Sequence, residues 1–259
     1  MLGNAQGSPR FFYRASAAAL GGQITHPFTE PLEVQAASFL PPNGGYGSAR
    51  VESYRFRELV SMRAGYTQVA GSTHRERDGK EVHATLVTAV VEGLNIQNVV
   101  TADWVVARLT SEHPRKDSPS GELSMLPIGS YFVNLRIAGT LVTLTPHDEL
   151  LKEDAATRSQ MEKTCQKHLV DPDTAQDSPA VAKGPLRFSA FALQPPAIPG
   201  ARMQKPGCRI DIPDFGSVYL GELVVAADRR QLVMVRVVLG CAVEGEIVVA
   251  SVEGNGSDY

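Results

Sequence analysis

Cysteine and aromatic residues are scarce in this sequence. It has three cysteines, Cys165, Cys208 and Cys241, a single tryptophan, and an aromatic content of 7% in 259 residues. No CxxC spacing occurs, and three cysteines cannot all pair within one chain. Cys208 and Cys241 would form a disulfide only if their strands were neighbours. Buried reduced thiols are the expectation for a chain that shows no export signal.

The sequence also lacks an excess of one charge and a long apolar run. Its formal net charge is -3, which predicts no general attraction to nucleic acid or to anionic lipid. The most apolar segment, 231–250, contains Arg236, Glu244 and Glu246, whereas a membrane helix needs about 18 or more nearly uncharged residues. We therefore predict no nucleic-acid partner, no membrane partner and a cytoplasmic location.

Sequence motifs for common active sites are missing as well. The sequence contains no GxxxxGK[ST] phosphate loop, no GxGxxG after a strand, no GxSxG elbow and no HExxH pair. The acidic run 171–177 resembles the start of a calcium loop, but Gln176 stands where the turn glycine is required. We predict no cofactor and no bound metal, and we favour a non-enzymatic protein while leaving the question of catalysis open.

What the sequence does contain is a series of β-strand patterns. Asp78-Gly79 lies between two strand-like runs and predicts a type I′ hairpin. Ala138-Gly139 predicts a second hairpin after the alternating run 131–137.

Two neighbouring strands, near 84–92 and 102–109, carry apolar residues on both faces. One face of the second is predicted to hold Ala102, Trp104 and Val106, with the tryptophan in the core. Such strands need a layer on each side, since a one-sided antiparallel sheet alternates cleanly between apolar and polar residues.

One helix is predicted near 149–169, where helix-forming residues place an apolar stripe at helical spacing. A polar loop is predicted at 171–185. With roughly a dozen strands, the fold class is all-β, an antiparallel sandwich or barrel-like single domain. We predict an N-terminal arm at 1–12, a β domain at 13–254 and a loose tail at 255–259.

Few residues stand out as site candidates. His83 and Glu112 would form an acid–base or metal site only if their strands bring them and His113 together. Asp103 would need a second carboxylate, such as Glu92, for glycosidic chemistry. These catalytic candidates are weak, because nothing in the spacing requires them to converge. The weak ligand-binding candidates are Arg136, Tyr54 and Phe56.

Three functions remain open from the sequence. The first is a non-enzymatic structural or interaction protein that self-associates or joins a larger assembly, since surplus apolar strand faces mark interfaces. The second is a barrel or cupped sandwich that binds or transforms a small apolar ligand. The third is a carbohydrate- or peptide-binding module that would use exposed Tyr54 and Phe56 on a sheet face.

Overall fold

A computed structural model describes residues 11–75, 79, 81–114, 124–147, 185–194, 198–204, 209–226 and 229–258. Regular structure in these residues consists of β-strands. The strands are β1 Phe11–His26, β2 Glu30–Gln35, β3 Ser38–Phe39, β4 Gly45–Phe56, β5 Val60–Arg75, β6 Glu81–Ile96, β7 Val100–Pro114, β8 Ser124–Leu126, β9 Tyr131–Val133, β10 Arg136–Ile137, β11 Thr140–Leu141, β12 Leu144–Pro146, β13 Leu186–Ser189, β14 Phe191–Leu193, β15 Arg202–Gln204, β16 Arg209–Ile212, β17 Gly216–Val225, β18 Arg229–Cys241 and β19 Val243–Asp258.

The strands form two large antiparallel sheets and one small one. Sheet A has the order β15-β16-β17-β18-β19-β1-β2, with β13 beside β17 and β3 beside β1. Sheet B has the order β11-β10-β7-β6-β5-β4, with β8 and β9 beside β7. Strands β12 and β14 form a separate pair. The predicted all-β antiparallel sandwich is confirmed.

The core lies between the inner faces of the two sheets. Val87, Ala89 and Val105 of sheet B are fully buried, as is Ala19 of sheet A. Small residues let the sheets approach closely, since a Cβ added at Gly65 would lie 2.8 Å from the Cβ of Ala19. The alternation of strand side chains produces this core because every second residue points inward.

Both predicted hairpins are present as strand pairs. Strands β5 and β6 pair antiparallel as far as Arg75 opposite Glu81, on either side of Asp78-Gly79. Strands β10 and β11 flank Ala138 and Gly139, whose φ angles of 47° and 76° are those of a type I′ turn.

The ends of the chain differ from the prediction. Strand β1 begins at Phe11, within the predicted arm, and pairs with β19 as far as Asp258, within the predicted loose tail. The first and last strands thus order each other through sheet hydrogen bonds. The helix predicted near 149–169 lies outside the described residues, as does the polar loop of 171–185 apart from Pro185.

A row of irregular residues crosses sheet B, and we call it the bend. The register places its members opposite one another on successive strands: Ser53, Arg63, Gly93, Asp103 and Asn134. Ser53, Gly93 and Asn134 have φ angles of 55°, 64° and 52°, so left-handed residues occupy alternate strands of the row.

The bend changes which residues of β7 point outward. Ala102 and Val105 are both buried in the core, so Asp103 and Trp104 between them both lie on the outer side. The predicted grouping of Ala102 with Trp104 and Val106 is therefore wrong for Ala102. Trp104 is half-buried on the outer face and not in the core, because the bend interrupts the two-residue period.

Sheet A contains a matching row. Its members lie opposite one another on successive strands: Ala36, Ala19, Ala250, Met234 and Gly221. The φ angles of Ala36, Ala250 and Gly221 are 48°, 49° and 63°.

Among the described residues, no helix is long and apolar enough to cross a membrane.

Candidate interaction surface on sheet B

The outer face of sheet B carries an apolar and aromatic row on one side of the bend. Tyr66 of β5 lies opposite Val90 of β6, Val90 opposite Val106 of β7, and Val106 opposite Tyr131 of β9. The next row toward the bend contains Trp104, directly opposite Val133. We call these six residues the aromatic surface. Tyr131 is 50% exposed, whereas Val106 is 7% exposed, so the centre is tightly packed and the end is open.

Charged side chains surround the Tyr66 end of the aromatic surface. The Tyr66 hydroxyl donates a 2.9 Å hydrogen bond to Glu92 Oε2, and Arg63 donates to Glu92 Oε1. The Arg50 guanidinium carbon lies 5.6 Å from the centroid of the Tyr66 ring. The ring centroids of Tyr66 and Trp104 are 6.4 Å apart. Aromatic rings and arginines held together in this way are typical of protein interfaces.

The two hydrogen-bonded groups shift each other's pKa. The hydrogen bond from Tyr66 is the largest single cause that holds the pKa of the Glu92 carboxyl below its usual value, and the hydrogen bond and charge of Arg63 lower that pKa as well. Partial burial, followed by the bond to Glu92, raises the pKa of the Tyr66 hydroxyl. Glu92 is therefore ionised and Tyr66 protonated throughout the neutral pH range. The Glu92 carboxylate therefore places a negative charge and a hydrogen-bond acceptor beside the aromatic rings.

A depression of about 390 Å³ lies beside the aromatic surface, over β4, β5 and β6. Its side chains are a mixture of aromatic, cationic and hydroxyl groups, and they include Tyr46, Ser48, Arg50, Tyr66, Gln68 and Thr88. Tyr46 is 61% exposed at its margin.

A second depression, of about 480 Å³, lies on the other side of Trp104, at the bend and beyond it. We call it the polar depression; the side chains that define it are Asn95, Thr101, Asp103, Asn134 and Arg136. Asn134 Nδ2 donates a 2.6 Å hydrogen bond to Asp103 Oδ2. Arg136 Nη1 donates to the carbonyl of Gly139 at 3.1 Å. The structure thus brings together Asp103 and Arg136, two of the weak site candidates.

The other catalytic candidates do not join them. His83 lies directly opposite His113 in the strand register, but Glu112 is opposite Ala84, the neighbour of His83, and so faces the other side of the sheet from His83. Asp103 precedes Glu112 by nine residues in β7, which corresponds to about 30 Å along the strand. Among the described residues, no group of three or more His, Cys, Asp and Glu side chains is placed to hold a metal ion.

His83 instead belongs to a contact between the sheets. Its Nδ1 lies 2.8 Å from Thr73 Oγ1 and 3.3 Å from the Tyr13 hydroxyl. Its ring stacks on Phe11 with a centroid distance of 4.1 Å. These contacts connect β1 of sheet A with β5 and β6 of sheet B, which is a structural role.

Tyr54 and Phe56 also lie where the two sheets meet. Both are half-buried and pack against the core. Beside them, Arg57 forms a 2.6 Å ion pair with Glu30 of sheet A and lies 4.1 Å from the Phe28 ring centroid. The two aromatic side chains therefore contribute to the sandwich rather than to an exposed platform.

Sequence reasoning missed Tyr66 as a site residue and assigned Trp104 to the core. One signal was present, namely that the strand around Trp104 is apolar on both faces. Gly93 is a second signal, typical of a turn or bulge, but Arg63 and Asp103 are ordinary strand residues in sequence terms, so the row across the sheet was not readable. The bend is what places Trp104 and Asp103 on one face.

Sheet A carries a comparable but buried charged cluster. Glu222 accepts hydrogen bonds from Arg236 Nε at 2.6 Å and Nη2 at 2.9 Å, and from Arg187 Nη1 at 3.3 Å. The Arg236 guanidinium carbon lies 3.8 Å from the Tyr219 ring centroid. Burial alone would lower the pKa of Arg236, but the hydrogen bonds and charge of Glu222 outweigh it and raise that pKa.

A family model described as "Domain of unknown function (DUF8256)" matches residues 11–183, which is more than half of the chain. The chain belongs to this family. The family region contains β1 to β12, and with them the whole aromatic surface and the polar depression. No curated protein matches the chain, and no solved structure matches it.

Proposed function

We propose that this chain is a non-enzymatic interaction protein that self-associates through the aromatic surface of sheet B. The observation that carries the proposal is the cross-strand row from Tyr66 through Val90 and Val106 to Tyr131. Its centre is apolar and its margin charged, as in an interface core with a polar rim. A second copy of the chain is the proposed occupant, because the rim carries both signs, with Arg63 and Glu92 among its groups.

Pairing between sheet edges is a less suitable route to assembly. Strand β4 ends sheet B and pairs with β5 in the described structure. Its exposed side chains include Arg50, Glu52 and Arg55, and Ser53 interrupts it with a φ of 55°. Charges and irregular residues on an edge strand hinder pairing with another strand. A face-to-face contact is therefore favoured over an extended sheet.

The interior offers little support for a small apolar ligand. Inner-face residues such as Val87, Ala89 and Val105 are fully buried, and the sheets nearly touch at Gly65 and Ala19. A ligand would have to displace packed side chains, which costs about 1–3 kcal/mol or more when a core is overfilled. The separation of His83, Asp103 and Glu112 likewise supports an interaction role over a catalytic one.

The absolute mass in solution tests the proposal, measured by size-exclusion chromatography with light scattering over a dilution series. We expect a species of twice the chain mass of 27.8 kDa, or a higher multiple. Replacing Tyr131 and Val133 together with serine should shift it toward the monomer, because both side chains are exposed and contribute apolar contact area.

The matched control replaces Val34 and Phe39 with serine. These are also exposed apolar side chains, at 59% and 71%, but they belong to sheet A. Their replacement should leave the mass unchanged. A monomer at every concentration of the unmodified chain, or equal dissociation in both double variants, would contradict self-association through this surface.

A further inference from the structure

The polar depression is separate from the aromatic surface, and its chemistry is different. The polar side chains in its lining are amides, a hydroxyl, one carboxylate and one guanidinium: Asn95, Thr101, Asp103, Asn134 and Arg136; Gly93, Leu94 and Ala102 complete the lining. It is an open depression of about 480 Å³ on the outer surface of sheet B. The proposed self-association needs none of these groups.

Hydrogen bonds hold the polar groups of Asp103, Arg136 and Asn95 in place. Asp103 uses Oδ2 to accept from Asn134, and Arg136 uses Nη1 to donate to Gly139. Asn95 is fixed by two bonds with Asn98, one to its side chain at 2.7 Å and one from its backbone at 2.8 Å. A carboxylate has about four acceptor sites and a guanidinium five donors, so Asp103 and Arg136 keep unused bonding capacity. The depression therefore presents oriented donors and acceptors together.

The charges in the depression select against an anionic ligand. Asp103 and Arg136 have opposite charges, and the other defining side chains are neutral. A phosphate would gain from Arg136 but would be repelled by Asp103. A neutral ligand that both donates and accepts hydrogen bonds fits this set best.

We propose that the polar depression binds a neutral saccharide, which goes beyond the proposed self-association. Each of Asp103, Asn134 and Arg136 ends in a planar group with two or more polar atoms, which suits the adjacent hydroxyls of a sugar ring. Trp104 follows Asp103 on the same outer side, but its ring lies next to Tyr66, at a centroid distance of 6.4 Å, and is not part of the lining of the depression. The sugar is therefore held by hydrogen bonds.

The tryptophan makes the test direct, since Trp104 is the only tryptophan in the chain. Its emission is titrated with cellohexaose, maltohexaose, mannohexaose and chitohexaose at up to millimolar concentrations, and binding is confirmed by calorimetry. We expect at least one of these hexasaccharides to change the emission in a saturable way. If none of the four does so and none gives heat, the saccharide proposal is overturned.

Two variants tie the signal to the depression. Asp103→Asn retains an oxygen that can accept the hydrogen bond from Asn134, and Arg136→Gln retains an amide donor. Because both positions are exposed, the fold should persist in each variant. Each should weaken saccharide binding about tenfold or more, as expected for the loss of a hydrogen bond to a charged group. Arg75→Gln is the control, because Arg75 bonds Glu81 at the far end of sheet B.

Two further outcomes have defined meanings. Binding of inorganic phosphate in place of any saccharide, lost in Arg136→Gln, overturns the proposal in favour of an anion site. Saccharide binding could also survive both depression variants and be lost when Tyr131 and Val133 are replaced with serine. That result would place the sugar on the aromatic surface, and it too would overturn the proposal. Self-association is measured separately by light scattering, so failure of one proposal leaves the other standing.

Discussion

Glu92 in sheet B and Glu222 in sheet A occupy comparable places but are used differently. Each lies on the outer side of its sheet, directly next to a glycine with positive φ, Gly93 or Gly221. Each accepts a hydrogen bond from an arginine, and a tyrosine belongs to each cluster, since Tyr66 bonds Glu92 and Tyr219 lies beside Arg236. The Glu222 side chain, however, is 4% exposed, whereas that of Glu92 is 20% exposed and its partner Arg63 is 66% exposed.

The difference shows how burial decides the role of an ion pair. Arg236 makes two hydrogen bonds to Glu222 and stacks on Tyr219, and Arg187 adds a third donor, so the cluster is closed. Removing one partner would leave a buried charge, which is costly. Exposed pairs contribute little to stability because water competes for both ions. The sheet B pair is thus available for contacts with another molecule.

The largest expected effect comes from removing the buried carboxylate. Glu222→Ala leaves Arg236 partly buried without its main partner, so we expect a loss of about 3–5 kcal/mol in the free energy of unfolding. Urea denaturation followed by circular dichroism measures it. The matched variant Glu92→Ala should move the urea midpoint much less. Similar shifts of the urea midpoint in the two variants would contradict the conclusion that the two glutamates differ in their contribution to stability.

A smaller effect separates the bend of sheet B from the matching row of sheet A. Gly93→Ala and Gly221→Ala each force alanine into the left-handed region, at a cost of about 1–2 kcal/mol. A Cβ at Gly221 would also collide with the buried Phe191 ring, which adds about 1–3 kcal/mol of overpacking. At Gly93 the nearest atom is the Cβ of exposed Arg63, at 2.9 Å. Thermal denaturation should therefore rank Gly221→Ala as the less stable variant, and the reverse order would contradict this account.

The smallest effect concerns protonation at the exposed pair. Tyr66→Phe removes the hydrogen bond that is the main cause of the lowered pKa of Glu92, so that pKa should rise toward its usual value. A carboxyl whose pKa is lowered by folding stabilises the protein at pH values above its unfolded-state pKa, and this contribution is lost as the pH falls through its folded-state pKa. The decrease in the free energy of unfolding at acid pH should therefore be slightly less steep in the variant.

Carboxyl ¹³C NMR titration measures the pKa of Glu92 directly. Tyr219→Phe serves as the control, because Tyr219 lies beside Arg236 of sheet A and should leave the titration of Glu92 unchanged. An unchanged Glu92 titration in Tyr66→Phe would show that Arg63, not the hydroxyl, sets the pKa.

The sequence predicted the architecture better than the site. The strand pattern near 84–92 was predicted, and its Val87, Ala89 and Val91 share one fully buried face; Ala138-Gly139 predicted its turn from the local preference for positive φ. Such signals involve residues close together in the chain. Asp103 and Arg136 were named as separate weak candidates, and only their packing shows that they share a depression.

Trp104 shows why the rest could not be predicted. A regular period of two assigns it to the same face as Ala102, but the bend changes that assignment. Because the bend is a row across neighbouring strands, its position depends on the register between them. No short stretch of sequence encodes that register.

The sequence by itself determined that this chain forms antiparallel β-strands, because the two-residue period and the turn dipeptides are local properties of the backbone. Only the tertiary structure decided that β1 pairs with β19, that Glu222 is more deeply buried than Glu92, and that Asp103 and Trp104 share the outer face of sheet B. These features depend on contacts between residues far apart in the chain, and such contacts form only when the sheets pair and pack.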